Sequence, residues 1–286
     1  MGRMPNRAYY SRRTGQNLDV VRLDLSRLKD LFLATYRDFD DKGYFVEAFG
    51  QDCQDGCIQG YAGSDVERFM FQRIRKKNLW PISEKVGLYS EEDLFDVIEF
   101  LFDHIAAPQK TWSHGFDNAC AHYGDFDQAA GRSRFREDVS VLLNDYATGF
   151  EMSPVGEILS RDRGYETLLD AKMPPSTDAM NVAARVEEAV RKFRRHHASR
   201  TDKREAVRLL ADVLEYRRPE LKQILTSKDE ADLFNIANNF GIRHHTSKQK
   251  TNYDHDVWLR WMFYFYLSTV HAAERLLNKG KPAANS

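Results

Sequence analysis

Several features that define familiar protein classes are missing from this chain of 286 residues. It has only three cysteines, which are too few for a disulfide framework and are typical of a reducing compartment. No run reaches about 18 uncharged apolar residues, and no apolar segment follows the basic N-terminus. We therefore expect a cytoplasmic protein with no membrane span and no signal peptide.

The motifs of several enzyme classes are missing as well. The sequence contains no G-x-G-x-x-G, no Walker phosphate loop, no G-x-S-x-G and no H-E-x-x-H. Nucleotide hydrolysis by a P-loop, serine esterase chemistry and zincin chemistry therefore have no support. We expect a protein that needs no cofactor and no metal ion.

Helical periodicity dominates what the sequence does contain. With 42% hydrophobic residues, the chain can bury a core. Apolar residues recur at the spacing of one helix face after Ser90, which predicts a helix capped by Ser90 with Asp93 three residues later. No element is predicted between residues 40 and 65, where Gly, Gln and Asp are frequent. The turn sequence SPVG at residues 153–156 separates two extended runs, so one small β-hairpin is predicted near residues 148–160.

A domain boundary is predicted near residue 175. The only Pro-Pro pair of the chain occurs there, in DAKMPPSTDAMN, and a new series of helical patterns follows it. The expected fold class is mainly α. An N-terminal, mostly helical domain with the hairpin spans residues 1–175, and a C-terminal helical bundle spans residues 176–286.

Three helices of the bundle are predicted in detail. One begins with Asp202 and Glu205 as a capping pair, and Pro219 stops it. The next begins with a capping box at residues 227–230. The last runs over about residues 254–277 and is expected to bury one stripe of its residues, namely Trp258, Trp261, Phe265, Thr269, Ala272 and Leu276.

Charge is unevenly distributed, although the net charge is only −1. Residues 89–127 include nine acidic and one basic residue, whereas residues 185–250 include sixteen basic and ten acidic residues. Such runs are usually solvated helix faces. The alternative is that the basic half contacts a polyanion.

One motif in the basic half combines groups that phosphate chemistry uses. In NNFGIRHHTSKQ, Arg243 is followed by His244 and His245, and Lys248 and Lys250 add charge for nucleic-acid binding. A guanidinium binds phosphate, and an imidazole with a pKa of about 6.5 can move a proton near neutral pH. The alternative is that the arginine contacts the carbonyl groups at a helix end and the histidines are surface residues.

A second doublet, RRHHASR, adds Arg194 and Arg195 as candidate nucleic-acid-binding residues. Cations at the end of a helix also favour the negative end of the helix dipole. That interaction explains most of the doublet without any function.

Three cysteines and two histidines are of the types that bind zinc: Cys53, Cys57, Cys120, His114 and His122. The spacing of these residues is loose and irregular compared with known zinc sites. Free thiols are the alternative, and no metal site is predicted.

The order of these patterns resembles a known family. The segments IRKKNLW, YSEEDLFDVIEFL, FREDVSVLLNDYATGFEMSPVGEI, DKREAVRLLADVLE and NNFGIRHH precede a final aromatic helix. This succession is similar to that of bacterial abortive-infection (Abi) proteins whose C-terminal half is a HEPN-like helical bundle (higher eukaryotes and prokaryotes nucleotide-binding). The resemblance covers roughly residues 70–278. It implies anti-phage defence, often through metal-independent RNA cleavage by HEPN dimers in which an arginine and a histidine meet across the interface.

The family's catalytic roles carry over to Arg243 with His244 or His245. The HEPN signature places four to six residues between the arginine and the histidine, whereas here the histidines follow directly. The signature spacing does occur from Arg191 to His196 and His197, on the first helix of the bundle. Chance matches of this kind are expected in a chain rich in Arg and His, so this one receives no weight.

Two functions stay open at this point. The first is an antiviral, metal-independent endoribonuclease that binds RNA and acts as a homodimer through its C-terminal bundle. The second is a non-catalytic HEPN-like module that binds nucleotide, RNA or a partner protein of a defence system.

Overall fold

The structure is a computed structural model of the chain, and its described residues are mainly helical, as the sequence predicts. They form two compact units, Met1–Ile158 and Leu159–Ser286, each with its own hydrophobic core. The sequence places the boundary later, near residue 175. None of the described helices is long and apolar enough to cross a membrane. The residues that the structure describes are 10, 22–53, 56–109, 111–113, 121–162, 164–169, 171–174, 178, 180–223, 225, 228, 234 and 254–279.

Side-chain caps begin the longer helices of the N-terminal unit. Asp24, Asp65, Ser90 and Asp127 each accept a hydrogen bond from a backbone N–H of the first turn. The predicted capping box of Ser90 with Asp93 is confirmed. In chain order these helices are α1 (Leu25–Asp41), α2 (Val46–Phe49), α3 (Val66–Ile74), α4 (Ile82–Lys85), α5 (Glu91–His104) and α6 (Gln128–Asp145), with a 3-10 turn at Val86–Leu88.

Aromatic rings fill the core between α1, α5 and α6. Phe32 and Phe135 are completely buried. Phe45 stacks on Tyr36 with ring centroids 5.5 Å apart, and it meets Phe135 edge-on at 6.4 Å. Each such ring pair adds about 0.5–1.5 kcal/mol beyond the burial of its area. These contacts hold the helices of the N-terminal unit together.

The strands are short, and there are more of them than the single hairpin that the sequence predicts. The hairpin is confirmed: β7 (Phe150–Met152) and β8 (Ile158–Ser160) form it, and the Gly156 N–H donates to the Ser153 carbonyl at 3.0 Å across the turn. Strands of two or three residues are too short to show alternation in a sequence. The antiparallel pairs that were not predicted are β1 (Gln51–Cys53) with β2 (Gly56–Ile58), β3 (Ala107–Pro108) with β6 (Phe126–Asp127), and β4 (Thr111–Ser113) with β5 (Ala121–Tyr123).

The C-terminal unit is built around one central helix that packs against two others. Its helices are α7 (Glu166–Leu169), α8 (Ala183–Arg194), α9 (Arg200–Leu221) and α10 (His255–Lys279), and α9 is the central one. Phe193 of α8 stacks on Phe263 of α10 with centroids 3.9 Å apart. Phe234 is buried in the same core, but most of the predicted capping box at residues 227–230 lies outside the described residues.

Helix α9 begins and ends differently from the prediction. Ser199, rather than Asp202, is its N-cap, and Asp202 is the third helical residue of a reciprocal capping box. Pro219 lies inside the last turn and does not stop the helix. A proline near the end of a helix removes only one backbone hydrogen bond, so the chain continues to Leu221.

Helix α10 turns a different face to the core than the sequence predicts. Trp258 and Trp261, expected inside, are 39% and 42% exposed, and Ala272 and Leu276 are exposed as well. The prediction was wrong because this helix is apolar on more than one face, so two stripes satisfy the helical period. The buried face carries Leu259, Met262, Phe263, Tyr266, Leu267 and Val270.

A buried ion pair joins α9 to α10. Arg217 donates from Nε to Glu274 Oε1 at 2.7 Å and from Nη2 to Oε2 at 3.2 Å. The two side chains are only 6% and 2% exposed. Arg217 also donates to Glu220, at 2.9 Å, but that carboxylate is 51% exposed. A buried charge that loses its partner strongly destabilises a fold.

Glu274→Ala should therefore lower the free energy of unfolding by about 3–5 kcal/mol, because it leaves the buried guanidinium without its main partner. Glu220→Ala is the matched control and should cost less than about 1 kcal/mol, since its carboxylate is half exposed. Urea unfolding followed by circular dichroism measures both changes. Equal losses in the two variants would show that the buried pair does not hold α9 against α10.

Candidate functional site

The residues with the most specific predicted chemistry lie outside the described part of the chain. Arg243, His244, His245, Lys248 and Lys250 all fall within residues 235–253, none of which the structure describes. Their catalytic and RNA-binding roles stay predictions.

The residues of zinc-binding type are described only in part. Cys53 and Cys57 lie on the paired strands β1 and β2, and His122 lies on β5. The thiol groups, together with Cys120 and His114, lie outside what the structure describes. The expectation that they form no metal site stays a prediction.

The other two predicted RNA-binding residues, Arg194 and Arg195, line an open cleft of about 360 Å³ in the C-terminal unit. Three separated parts of the chain meet there: the residues at the end of β8, the junction between α8 and α9, and the start of α10. The charged lining residues are Arg161, Asp162, Arg194, Arg195, Lys203, Asp256 and Arg260.

The two arginines have different surroundings, although they are neighbours in sequence. Arg194 ends α8, is only 6% exposed, and donates from Nε to the Ser160 carbonyl at 3.0 Å. Arg195 leaves the helix, its backbone bridges to Leu159, and its side chain is exposed. The first arginine therefore holds the end of β8 against α8, while the second is available to a ligand.

A tight turn after α8 places His197 in the cleft. The Ala198 N–H donates to the Arg195 carbonyl at 2.9 Å, and His197 has a φ of 53°. Residues other than glycine seldom adopt this left-handed conformation, and it is concentrated at functional sites. The His196 ring lies 3.8 Å from the His197 ring, measured between centroids. The arginine-to-histidine spacing that begins at Arg191 therefore ends at His197, which lines the cleft.

The cleft is positively charged. Five permanent cations line it against two carboxylates, an excess of three. Both carboxylates are paired: Asp162 accepts hydrogen bonds from Arg260 and from the Tyr264 hydroxyl, and Asp256 lies 3.4 Å from Lys203. Burial and the contact with Asp162 raise the pKa of Tyr264, so its hydroxyl stays protonated and donates. An anion in the cleft would therefore meet acids that are already neutralised.

Sequence reasoning missed most of this cleft. Arg161, Lys203 and Arg260 are not among the sequence-based candidates, because they are far apart in the chain and belong to no motif. The available signals were the doublet RRHHASR and the excess of basic residues in 185–250.

A second cluster of polar and aromatic groups surrounds His104 in the N-terminal unit. The imidazole lies among the rings of Phe49, Phe69 and Phe100, with centroids 6.3, 5.1 and 4.5 Å away. Its Nδ1 is 2.9 Å from the Tyr61 hydroxyl. These contacts remove much of the water that would stabilise a charged imidazole.

Burial, followed by repulsion from the nearby guanidiniums of Arg73 and Arg132, lowers the pKa of His104 to about 4. In the unfolded chain a histidine titrates at about 6.5. At a pH between these two pKa values, the unfolded state therefore binds a proton that the folded state does not bind. The stability that neutral His104 contributes is complete above about pH 6.5 and is lost as the pH falls towards 4.

Between pH 7 and pH 4 the wild type should lose more stability than His104→Phe, by on the order of 2 kcal/mol after allowance for partial exposure. Asp40, Glu99 and Asp103 have raised pKa values and act in the opposite direction, but they cancel in the difference because both proteins contain them. Urea unfolding at a series of pH values measures the difference. Parallel curves for the two proteins would contradict the prediction.

The chain matches no family model, no curated protein and no solved structure.

Proposed function

We propose that the C-terminal unit binds RNA in this cleft through the phosphate groups. The observation that carries the proposal is the excess of three cations in an open cleft whose two carboxylates are both paired. A guanidinium is always charged and forms paired hydrogen bonds with phosphate oxygens.

The cations of the cleft divide into structural groups and ligand-binding groups. Arg194 is buried, and its hydrogen bond to the Ser160 carbonyl holds the residues that line the cleft in place. Arg195 is exposed, and the acid on which its charge acts, Asp202, is itself accessible to solvent, so a phosphate can compete for the guanidinium. Arg195 is therefore the first candidate for a phosphate contact. Lys203 is partly exposed and can exchange its exposed partner Asp256 for a phosphate oxygen.

The resemblance to abortive-infection proteins supports a biological setting for this activity: an effector that acts on RNA in defence against phage. Self-association through the C-terminal bundle belongs to the same proposal. Its support is the exposed aromatic face of α10, with Trp258 and Trp261 on the surface of that bundle. The alternative is a non-catalytic module that binds nucleotide, RNA or a partner protein of a defence system.

Arg195→Ala should weaken the binding of a single-stranded RNA oligonucleotide about tenfold, because one charge-assisted phosphate contact is lost. The slope of log Kd against log salt should fall by about 0.7, the value for one phosphate on a single strand. Fluorescence anisotropy at several salt concentrations measures both quantities.

The matched control is Arg208→Ala, which removes an exposed arginine of α9 that pairs with Asp212 at 4.0 Å and does not line the cleft. It should bind RNA as the wild type does. Equal affinities for the wild type and Arg195→Ala, or equal losses in the two variants, would mean that RNA binds elsewhere.

RNA cleavage, beyond binding, is favoured by the position of His197 in the cleft. In this reaction the 2′-oxygen attacks phosphorus, the bond to the 5′-oxygen breaks, and a proton passes from the 2′-hydroxyl to the leaving oxygen. An imidazole can accept or supply that proton, and guanidiniums stabilise the charge that develops on phosphate. We propose that Arg243 with His244 or His245 supplies the remaining groups.

His197→Ala should slow cleavage by about 10²- to 10³-fold with little change in RNA affinity, and so should Arg243→Ala. The products should carry a 2′,3′-cyclic phosphate and should form in excess EDTA. Gel analysis with mass spectrometry of the products measures this. His196→Ala is the control, because its ring is the neighbour of His197 but does not line the cleft. A wild type that binds RNA without cleaving it would establish the non-catalytic alternative.

A further inference from the structure

We infer that Tyr165, at the edge of the cleft, stacks on a nucleobase, so that the site takes unpaired nucleotides and not phosphate groups alone. The inference deepens the proposed function and rests on it, because the phosphate contacts in the cleft bring the base to this ring. It adds a residue that no motif of the sequence indicates.

Tyr165 is the outer member of a stack of two rings. It lies on Tyr264 with centroids 3.7 Å apart and an angle of 8° between the planes. Tyr264 is 5% exposed, whereas Tyr165 is 38% exposed. The stack therefore begins in the core of the unit and ends at solvent, where a third planar ring can extend it.

The stack is fixed to the cleft by Asp162. The Tyr264 hydroxyl donates to the carboxylate of Asp162, which also pairs with Arg260 of the cleft lining. The backbone N–H of Tyr165 donates to the Asp162 carbonyl at 3.2 Å. The guanidinium of Arg260 lies 5.4 Å from the centre of the Tyr165 ring. One residue thus positions an exposed aromatic ring directly beside a cation of the cleft.

This combination is the one that single-stranded nucleic acids require. Aromatic side chains stack on bases of any sequence, and adjacent cations bind the backbone. In a duplex the bases are already stacked on one another, so an exposed ring gains little from it. The Tyr165 ring is also held in place before the ligand arrives, which reduces the entropy lost on binding.

A second set of aromatic rings on α10 is the rival platform: the exposed Trp258 and Trp261, and the partly buried Phe265. Trp261 stacks on Phe265 at 5.4 Å, and Trp258 meets Trp261 edge-on at 5.5 Å. At about 100° per residue, these three positions lie roughly 100° to 160° around the helix from Arg260. They therefore lie on other faces of the helix than the cation that borders the cleft, whereas the guanidinium of that cation lies 5.4 Å from the centre of the Tyr165 ring.

The test compares two labelled probes of equal length, a single-stranded RNA oligonucleotide and its abasic counterpart, which keeps the ribose and phosphate groups. Tyr165→Ala should weaken binding of the RNA by about 5- to 100-fold and leave binding of the abasic probe unchanged. Tyr165→Phe should bind both probes as the wild type does. Tyr165→Leu keeps apolar packing on Tyr264 without an aromatic ring, so it should show the same loss of RNA binding that is expected of Tyr165→Ala. It provides the measurement if Tyr165→Ala does not fold.

Two further variants separate the possible failures. Arg195→Ala should weaken both probes. Trp261→Ala should change the affinity for the two probes by the same factor, because a loss of self-association does not distinguish RNA from the abasic probe. The proposed function stands but the inference is overturned in either of two cases. In the first, the wild type binds both probes equally and the Tyr165 variants bind as it does. In the second, Trp261→Ala shows the base-dependent loss and the Tyr165 variants do not. Both fail if the full-length wild type binds neither probe.

Discussion

The hydrogen bonds that Asp162 accepts hold the C-terminal cleft together. The Asp162 carboxylate accepts hydrogen bonds from Arg260 and Tyr264, both on α10, while the backbone carbonyl of the same residue accepts one from Tyr165. A largely buried carboxylate is costly without partners, so the pairing fixes the residues after β8 against the start of α10. The pairing also neutralises one of the two acids that line the cleft. The position of the exposed tyrosine ring beside the cleft follows from this one group.

Other charged side chains of the protein also serve either to hold the fold together or to bind a ligand. The chain as a whole is nearly neutral, with a net charge of −1, so the attraction of this cleft for an anion does not come from the total charge of the protein. Arg217 and Glu274 form a buried ion pair that holds α9 against α10, and Arg194 donates a hydrogen bond to a backbone carbonyl. In the N-terminal unit, His104 is kept neutral among aromatic rings. Arg195, by contrast, is exposed, so its charge is available to a ligand.

The sequence predicted those parts of the fold that depend on neighbouring residues. The capping box at Ser90 and the turn at residues 153–156 are local hydrogen-bond patterns, and both are confirmed. The face of α10 was predicted wrongly because the choice between two apolar stripes depends on what packs against the helix. Of the cleft, only Arg194 and Arg195 were predicted, because three distant segments contribute to it and only folding brings Arg260 beside them.

A crystal structure of the chain with a short 2′-O-methylated RNA oligonucleotide would show whether this cleft holds the phosphate groups of RNA. The methyl groups block attack by the 2′-oxygen, so the oligonucleotide stays intact in the crystal. The account predicts a phosphate within hydrogen-bond distance of Arg195, with the adjoining base on the Tyr165 ring. An oligonucleotide bound on the Trp258 and Trp261 face of α10, or on the N-terminal unit, with no phosphate in the cleft, would contradict it.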